Sequence, residues 1–261
     1  MGHLRLGDLP RTRKWKEVVA LLGYGAEAEQ LAIATIDAAE QAFAVAANDP
    51  GLVESLFILT QIPLAARSED FIRSLREAGL NVSATPTLME VLGAVADAVD
   101  GRLARKGGRT DLGEMAEMAA VETLSASCAN RTPGLFSTPT ADLQQAFSAL
   151  ATSANFSVFA RSFYARLTER YLGYFLSRAY SHHVGEGKRF STLAQQGSFE
   201  AALKRHCHEA SVIVETFAGE WFSKTKWEKG NIGRDDASGF AYVALKKICA
   251  ELKAGARAHV A

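Results

Sequence analysis

The sequence predicts an all-α protein, a multi-helix bundle of about eight to nine helices. The chain divides into helical segments separated by short proline and glycine punctuation, and the two-residue alternation typical of strands is nearly missing. The longest segment, NFSVFARSFYARLTERYLGYFLSRAYSHH at 155–183, carries aromatic residues at helical spacing with arginines between them. It predicts a long central helix in the core of the bundle.

Helix-breaking and capping residues set the ends of the predicted helices in the first half of the chain. Pro63 limits a compact apolar helix. Thr85 places a capping hydroxyl before Pro86, and Asp111 with Glu114 three residues later resembles a capping box. The predicted helices of this half span residues 15–22, 26–48, 52–62, 69–78, 86–103 and 111–127.

The longest irregular stretch, CANRTPGLFSTPT at 128–140, divides the chain nearly in half. It is interpreted as a linker between an N-terminal helical half, 1–127, and a C-terminal helical bundle, 141–261, so that two helical subdomains are one interpretation. In the second half Ser198 is a candidate cap. The predicted helices there span 141–151, the aromatic segment, 199–227 and 237–253.

The aromatic helix carries a wide apolar stripe. Its members advance by three or four residues and are Phe156, Phe159, Phe163, Leu167, Tyr171 and Tyr174. Helices that are apolar over so much of their circumference are usually surrounded by other helices, which favours a core role. An exposed ligand or partner groove is the alternative.

Composition narrows the functional class. The formal net charge of the 261 residues is zero, so the whole-molecule field does not favour nucleic acid or an anionic membrane. The three cysteines form no CxxC pair, which argues against a disulfide framework or a cysteine-rich zinc site. The first 20 residues lack the apolar core of a signal peptide, and the longest apolar stretches are too short to span a bilayer. We therefore expect a cytoplasmic protein that does not enter a membrane.

Familiar catalytic motifs are missing from the sequence. It contains no HExxH zinc motif and no glutamate followed three residues later by histidine. GEGKRF at 185–190 is not a Walker A loop, because arginine stands where serine or threonine is required. No GxSxG or kinase-type motif appears either. The sequence therefore favours a non-enzyme and predicts neither catalytic residues nor a cofactor.

One cluster of candidate metal or acid–base residues remains as an alternative. His182 and His183 end the aromatic helix, and His206, His208 and Glu209 lie in the next long one. On a helix, His206 and Glu209 share a face, whereas His206 and His208 point about 200° apart. Surface or capping histidines are the competing interpretation.

Arginine beside aromatic residues is also the composition that stacks on single-stranded bases. This gives a second alternative, a nucleic-acid-binding accessory protein that uses Arg166, Arg170, Lys188 and Arg189 with the basic N-terminus. The competing interpretation is that the arginines of the aromatic helix solvate its outer face and spread their stems over its rings.

Two tryptophans beside lysines distinguish the segment EWFSKTKWEKG. Trp221 and Trp227 are candidates for anchoring a protein partner as an interface hot spot, or for closing the end of the bundle. The N-terminal RTRKWK, with Arg11, Arg13 and Trp15, is a candidate second contact.

Four segments of the chain resemble segments of a known protein family, and the resemblance covers most of the chain's length. They are GHLRLGDLPRTRKWKEVV, RTDLGEMAEMAAVETL, FAGEWFSKTKWE and GFAYVALKKICAEL. The chain resembles an uncharacterised family of all-helical bacterial proteins that are similar to accessory proteins encoded in anti-phage defence clusters. The resemblance implies a setting but no catalytic residues.

Together these observations predict a non-catalytic helical subunit or adaptor of a bacterial multiprotein system, with anti-phage defence as its setting. It would act through contacts with a protein encoded nearby. Self-association is a further expectation, and nucleic-acid binding and a metal-dependent or acid–base enzyme are the two alternatives.

Overall fold

The computed structural model is all-helical, which confirms the predicted fold class. It describes residues 13–26, 30–35, 37–38, 47–129, 139–180 and 182–258. Within these residues there are ten bounded helices and no strand. The helices are α1 (Arg13–Gly23), α2 (Pro50–Ala65), α3 (Phe71–Glu77), α4 (Leu88–Arg105), α5 (Asp111–Cys128), α6 (Thr140–Ala149), α7 (Ser153–Tyr180), α8 (Leu193–Ala210), α9 (Val212–Lys229) and α10 (Arg234–Ala258).

The most buried helix is α2, not the aromatic helix that the sequence analysis placed at the centre. Its apolar residues surround the helix on every side, and 14 of its 16 residues are buried. Helices α3, α4, α5, α6 and α10 all pack against it. Asp49 caps its first turn, because the Oδ1 atom accepts hydrogen bonds from the backbone N–H groups of Gly51 and Leu52 at 2.9 and 3.0 Å.

The aromatic helix, α7, still belongs to the core. The stripe residues from Phe156 to Tyr171 are each at most 2% exposed, and α5, α8 and α9 pack along the helix. At its N-terminal end the ring of Phe156 stacks on Phe222 of α9, with ring centroids 4.0 Å apart. The core interpretation is therefore confirmed for these five residues, whereas Tyr174, the last member of the stripe, is half-buried.

At α4 and α5 the capping residue differs from the predicted one. Thr87, and not Thr85, caps α4, because its hydroxyl accepts a hydrogen bond from the backbone N–H of Glu90 at 3.2 Å. Thr110 caps α5 in the same way, so Asp111 is the first helical residue and not the cap. Pro63 does not limit α2, which continues to Ala65. A proline so near the helix end removes one backbone hydrogen bond without stopping the last turn.

The single helix predicted over 199–227 with Ser198 as its cap is wrong. The structure has α8, which begins at Leu193 and is capped by Thr192, and then α9, with Ser211 between them. The hydroxyl of Ser211 donates a hydrogen bond to the backbone carbonyl of Cys207 at 2.7 Å. Serine bonds of this kind compete with the helical hydrogen-bond ladder and bend helices. Because the helix is interrupted here, α9 packs along α7, and α8 packs against both α7 and α10.

Helices from the two halves of the chain pack against one another. Helix α5 contacts α7, and α2 contacts α10. Polar bonds cross the same boundary: the Tyr174 hydroxyl donates to Asp111 at 2.6 Å, and the side-chain amide of Gln61 donates to the carbonyl of Ile232 at 3.0 Å. The buried apolar residues of both halves form one continuous cluster. The division into two subdomains stays a prediction.

Candidate partner-binding surface

The two predicted anchor tryptophans lie in different environments. Trp221 is half-buried, and its ring stacks on Phe240 of α10 with the ring centroids 4.2 Å apart. Trp227 is 89% exposed. Trp227 lies six positions after Trp221, so the two side chains project about 120° apart around α9. Trp221 therefore packs between helices, whereas Trp227 remains available to a partner.

Trp227 borders an open groove of about 520 Å³. We call it the Trp227 groove; its lining residues are Leu64, Arg67, Ser68, Ala151, Phe222, Ser223, Lys226 and Trp227. Its floor is apolar. Both charged residues in this described lining are cations, and the lining contains no carboxylate.

The helix end that carries Trp227 is well supported. Gly230 ends α9 in the left-handed region at φ 73°, and its backbone N–H donates to the carbonyl of Lys226 at 3.0 Å. The Lys226 ammonium in turn donates to the carbonyl of Gly230. A glycine stop and a lysine in the last turn both stabilise a helix C-terminus. Trp227 is therefore presented from a helix and not from a loop.

The N-terminal part of the predicted contact surface falls largely outside the described residues. Arg11 lies outside them, as do the side chains of Arg13 and Trp15, whose backbone belongs to the first turn of α1. A role for these three residues in partner binding stays a prediction.

The arginines predicted for nucleic acid are engaged within the fold. Arg166 and Arg170 converge on one carboxylate: Arg166 Nε lies 3.8 Å from Glu122, and Arg170 hydrogen-bonds the same residue. Arg189 donates to a backbone carbonyl just after α1 at 3.0 Å. Lys188 is exposed in the loop before α8. These internal contacts leave less free positive charge than the sequence alone indicates.

The predicted histidine cluster is spread over different environments. His182 is exposed and His183 half-buried in the loop after α7, while on α8 His206 is 5% exposed and Glu209 faces solvent. Burial lowers the pKa of His183, and the neighbouring His182 adds to that effect. Among the described residues no group of three or more His, Cys, Asp or Glu side chains is placed to hold a metal ion.

His208 belongs to a charged network between α7 and α8. Its Nε2 atom lies 3.9 Å from Glu169, which also pairs with Lys204 at 3.3 Å. Burial lowers the pKa of His208, and the Glu169 carboxylate opposes that shift. The network is consistent with a structural role at this helix interface.

A second groove, which sequence reasoning missed, has methionines in its wall. Met89 of α4 and Met118 of α5 are 40% and 45% exposed and line an open cavity of about 770 Å³. Glu117 lies in the same wall. Burial, followed by the nearby Asp100 carboxylate, raises the pKa of Glu117 to about 7. The sequence signal was the concentration of methionine, since three of the four methionines lie within 89–118.

No protein-family model, curated protein or solved structure matches this chain. None of the described helices combines the length and the apolar character that crossing a membrane requires.

Proposed function

We propose that this protein is a non-catalytic helical subunit or adaptor that binds a protein partner through the Trp227 groove. The observation that carries the proposal is an indole ring 89% exposed at the edge of an apolar groove. Tryptophan is the residue most enriched at the energetic centres of protein interfaces, where it fills or flanks a desolvated pocket. A large ring displayed from a capped helix end also loses little conformational freedom on binding.

The charge of the groove defines the chemistry of the partner. Arg67 and Lys226 rim the apolar floor formed by Leu64 and Phe222. A segment with one aliphatic or aromatic anchor flanked by Asp or Glu matches this pattern, because opposite charges at an interface rim steer association and set orientation. The proposed partner therefore presents an acidic segment with an apolar anchor.

The proposed setting, a bacterial anti-phage system with the partner encoded nearby, rests on the sequence resemblance alone. The proposal about the groove does not depend on this setting, because the residues that line the groove define the partner's chemistry in any setting.

The direct test is co-purification of the tagged protein with each product of its neighbouring genes, with and without nuclease. The Trp227→Ala variant is expected to weaken binding by at least about 2 kcal/mol, roughly thirtyfold in Kd. Tyr24→Ala is the matched control, since Tyr24 is 90% exposed and does not line the groove. Arg67→Glu is expected to slow association and to make it less sensitive to salt.

Loss of partner recovery in Trp227→Ala but not in Tyr24→Ala would support the proposal. A partner bound equally by both variants uses another surface, and the groove proposal would then be wrong. Recovery of nucleic acid alone, lost on nuclease treatment, would instead favour the arginine alternative.

A further inference from the structure

Two carboxyl groups meet where α4 packs against α5. The short segment 106–110 joins these two helices. Asp100 lies on the same face of α4 as Ala96, which lines the methionine-lined groove together with Glu117 of α5. The side chains of Asp100 and Glu117 are close enough to form a hydrogen bond with each other. Two carboxyl groups can form that bond only when one of them carries a proton.

One oxygen of Asp100 is buried without a hydrogen-bond donor. Its Oδ2 atom accepts a hydrogen bond from Arg109, whereas its Oδ1 atom is shielded from solvent and has no partner within the described part of the chain. A buried acceptor that lacks a donor destabilises the folded state. A protonated Glu117 supplies the missing donor from inside the fold, so no ligand has to reach this oxygen.

The charges at this contact favour a proton on Glu117. Arg109 hydrogen-bonds Asp100, and its Nη1 atom lies 3.5 Å from Glu114, so one guanidinium serves three neighbouring carboxyl groups. A carboxyl group that is partly buried beside other carboxylates resists ionisation. Burial, followed by the Asp100 carboxylate, raises the pKa of Glu117 to about 7, although Arg109 acts in the opposite direction.

Charged residues of the other helices that pack near Glu117 have partners of their own. Arg166 of α7 lies 3.8 Å from Glu122, and Lys204 of α8 pairs with Glu169 at 3.3 Å. On α2, Glu54 pairs with arginines of α4 and α10. The protonation of Glu117 is therefore governed by the groups at the contact between α4 and α5.

Helix α4 is the element best placed to respond to a change at this contact. It packs against α2 and α5, whereas α5 packs against α6 and α7 as well. The segment that joins α4 to α5 contains Gly107 and Gly108 in the left-handed region, at φ 114° and 121°. A Cβ atom built on Gly107 would meet nothing within 4 Å. Because glycine adopts many backbone conformations, this connection can adjust as α4 moves.

We propose that Asp100 and Glu117 form a proton-dependent contact that controls the width of the methionine-lined groove. In the protonated state the Glu117 hydroxyl donates to Asp100 Oδ1 and holds α4 against α5. In the ionised state the two carboxylates repel each other, α4 moves away from α5, and the groove widens. This contact is separate from the Trp227 groove and does not depend on it.

The test measures hydrogen–deuterium exchange of the full chain at about pH 6 and about pH 8, on either side of the expected midpoint for Glu117. After correction for the intrinsic effect of pH on exchange, protection of the α4 amides is expected to fall about fivefold to tenfold at the higher pH, while that of α9 stays constant. Carbon-13 NMR of the glutamate carboxyl groups should show Glu117 titrating near pH 7. An ordinary midpoint near 4.5 for Glu117, or equal protection of α4 at both pH values, would overturn the proposal.

Two variants assign the response to the pair. Glu117→Gln keeps the shape of the side chain and offers an amide donor to Asp100 Oδ1 at every pH, so α4 should stay protected at both pH values. Glu114→Gln is the matched control, because Glu114 lies one turn earlier on α5 and also contacts Arg109. It should retain the response. A full response in Glu117→Gln, or a response lost equally in both variants, would overturn the proposal. If Glu117→Gln failed to fold, the titration of Glu117 in the parent protein would decide.

Discussion

Glu54 shows at the scale of one residue how this fold accommodates a charge inside its most buried helix. The carboxylate is 3% exposed and accepts two hydrogen bonds from Arg234 of α10, at 2.6 and 2.7 Å. Arg102 Nε lies 3.6 Å from the same carboxylate. The Arg234 guanidinium also stacks over the Phe57 ring at 4.0 Å. A bidentate pair of this geometry compensates the desolvation of both ions.

Removing Arg234 should therefore be costly. Arg234→Met is expected to lower the free energy of unfolding by about 3 kcal/mol, because it leaves a buried carboxylate with one longer contact. Urea denaturation followed by circular dichroism measures the change. The double variant Glu54→Gln/Arg234→Met removes the stranded charge and should recover part of the loss. A single variant as stable as the parent would contradict the argument.

At the scale of helices, the packing of α9 on α7 depends on Gly219. A Cβ atom at this position would lie 2.2 Å from the backbone oxygen of Ser153 and 2.5 Å from the hydroxyl oxygen of Ser157. The backbone N–H of Gly219 donates to that same hydroxyl at 3.0 Å. The two helices approach so closely because the glycine has no side chain.

The Gly219→Ala variant is expected to destabilise the protein by about 1–3 kcal/mol, since the added methyl group forces α9 away from α7. Gly239→Ala is the matched control on an exposed helix face, and there the same change should stabilise by about 0.5–1 kcal/mol through helix propensity. Thermal and denaturant unfolding of the two variants give the comparison. Equal effects at both positions would show that helix propensity, and not the close approach of α9 to α7, determines the change in stability.

At the scale of the whole molecule, the interfaces between the two halves predict a single cooperative unit. Separating 1–127 from 141–261 would expose the buried faces where α5 meets α7 and where α2 meets α10. We expect each half expressed alone to lack fixed near-ultraviolet circular dichroism, and the two halves mixed together to recover it. If each half instead unfolded cooperatively by itself, the chain would consist of two independent subdomains.

Most of the fold was predictable because its signals are local. Apolar spacing identified the helices, and proline or glycine marked most of their ends. The errors occurred where neighbouring residues compete for one role. Thr85 and Thr87 are both suitable caps for α4, and only the folded chain shows that the Thr87 hydroxyl bonds to Glu90. Likewise, nothing in the local pattern distinguishes Ser211 from other serines within helices.

The candidate sites were less predictable than the fold. Sequence reasoning named Trp227 but paired it with Trp221, whose side chain packs on Phe240. Whether a ring is exposed depends on the neighbouring helix that faces it, and that helix is distant in sequence.

The sequence by itself determined the all-helical class and the buried aromatic stripe of α7, and its eight to nine predicted helices compare with ten among the described residues. These follow from periodicity, which is a property of a few consecutive turns. Only the tertiary structure decided that α2 is the most buried helix and that Glu54 meets Arg234. Each of these depends on how helices far apart in the chain are rotated and packed, because packing brings together side chains whose spacing along the chain carries no pattern.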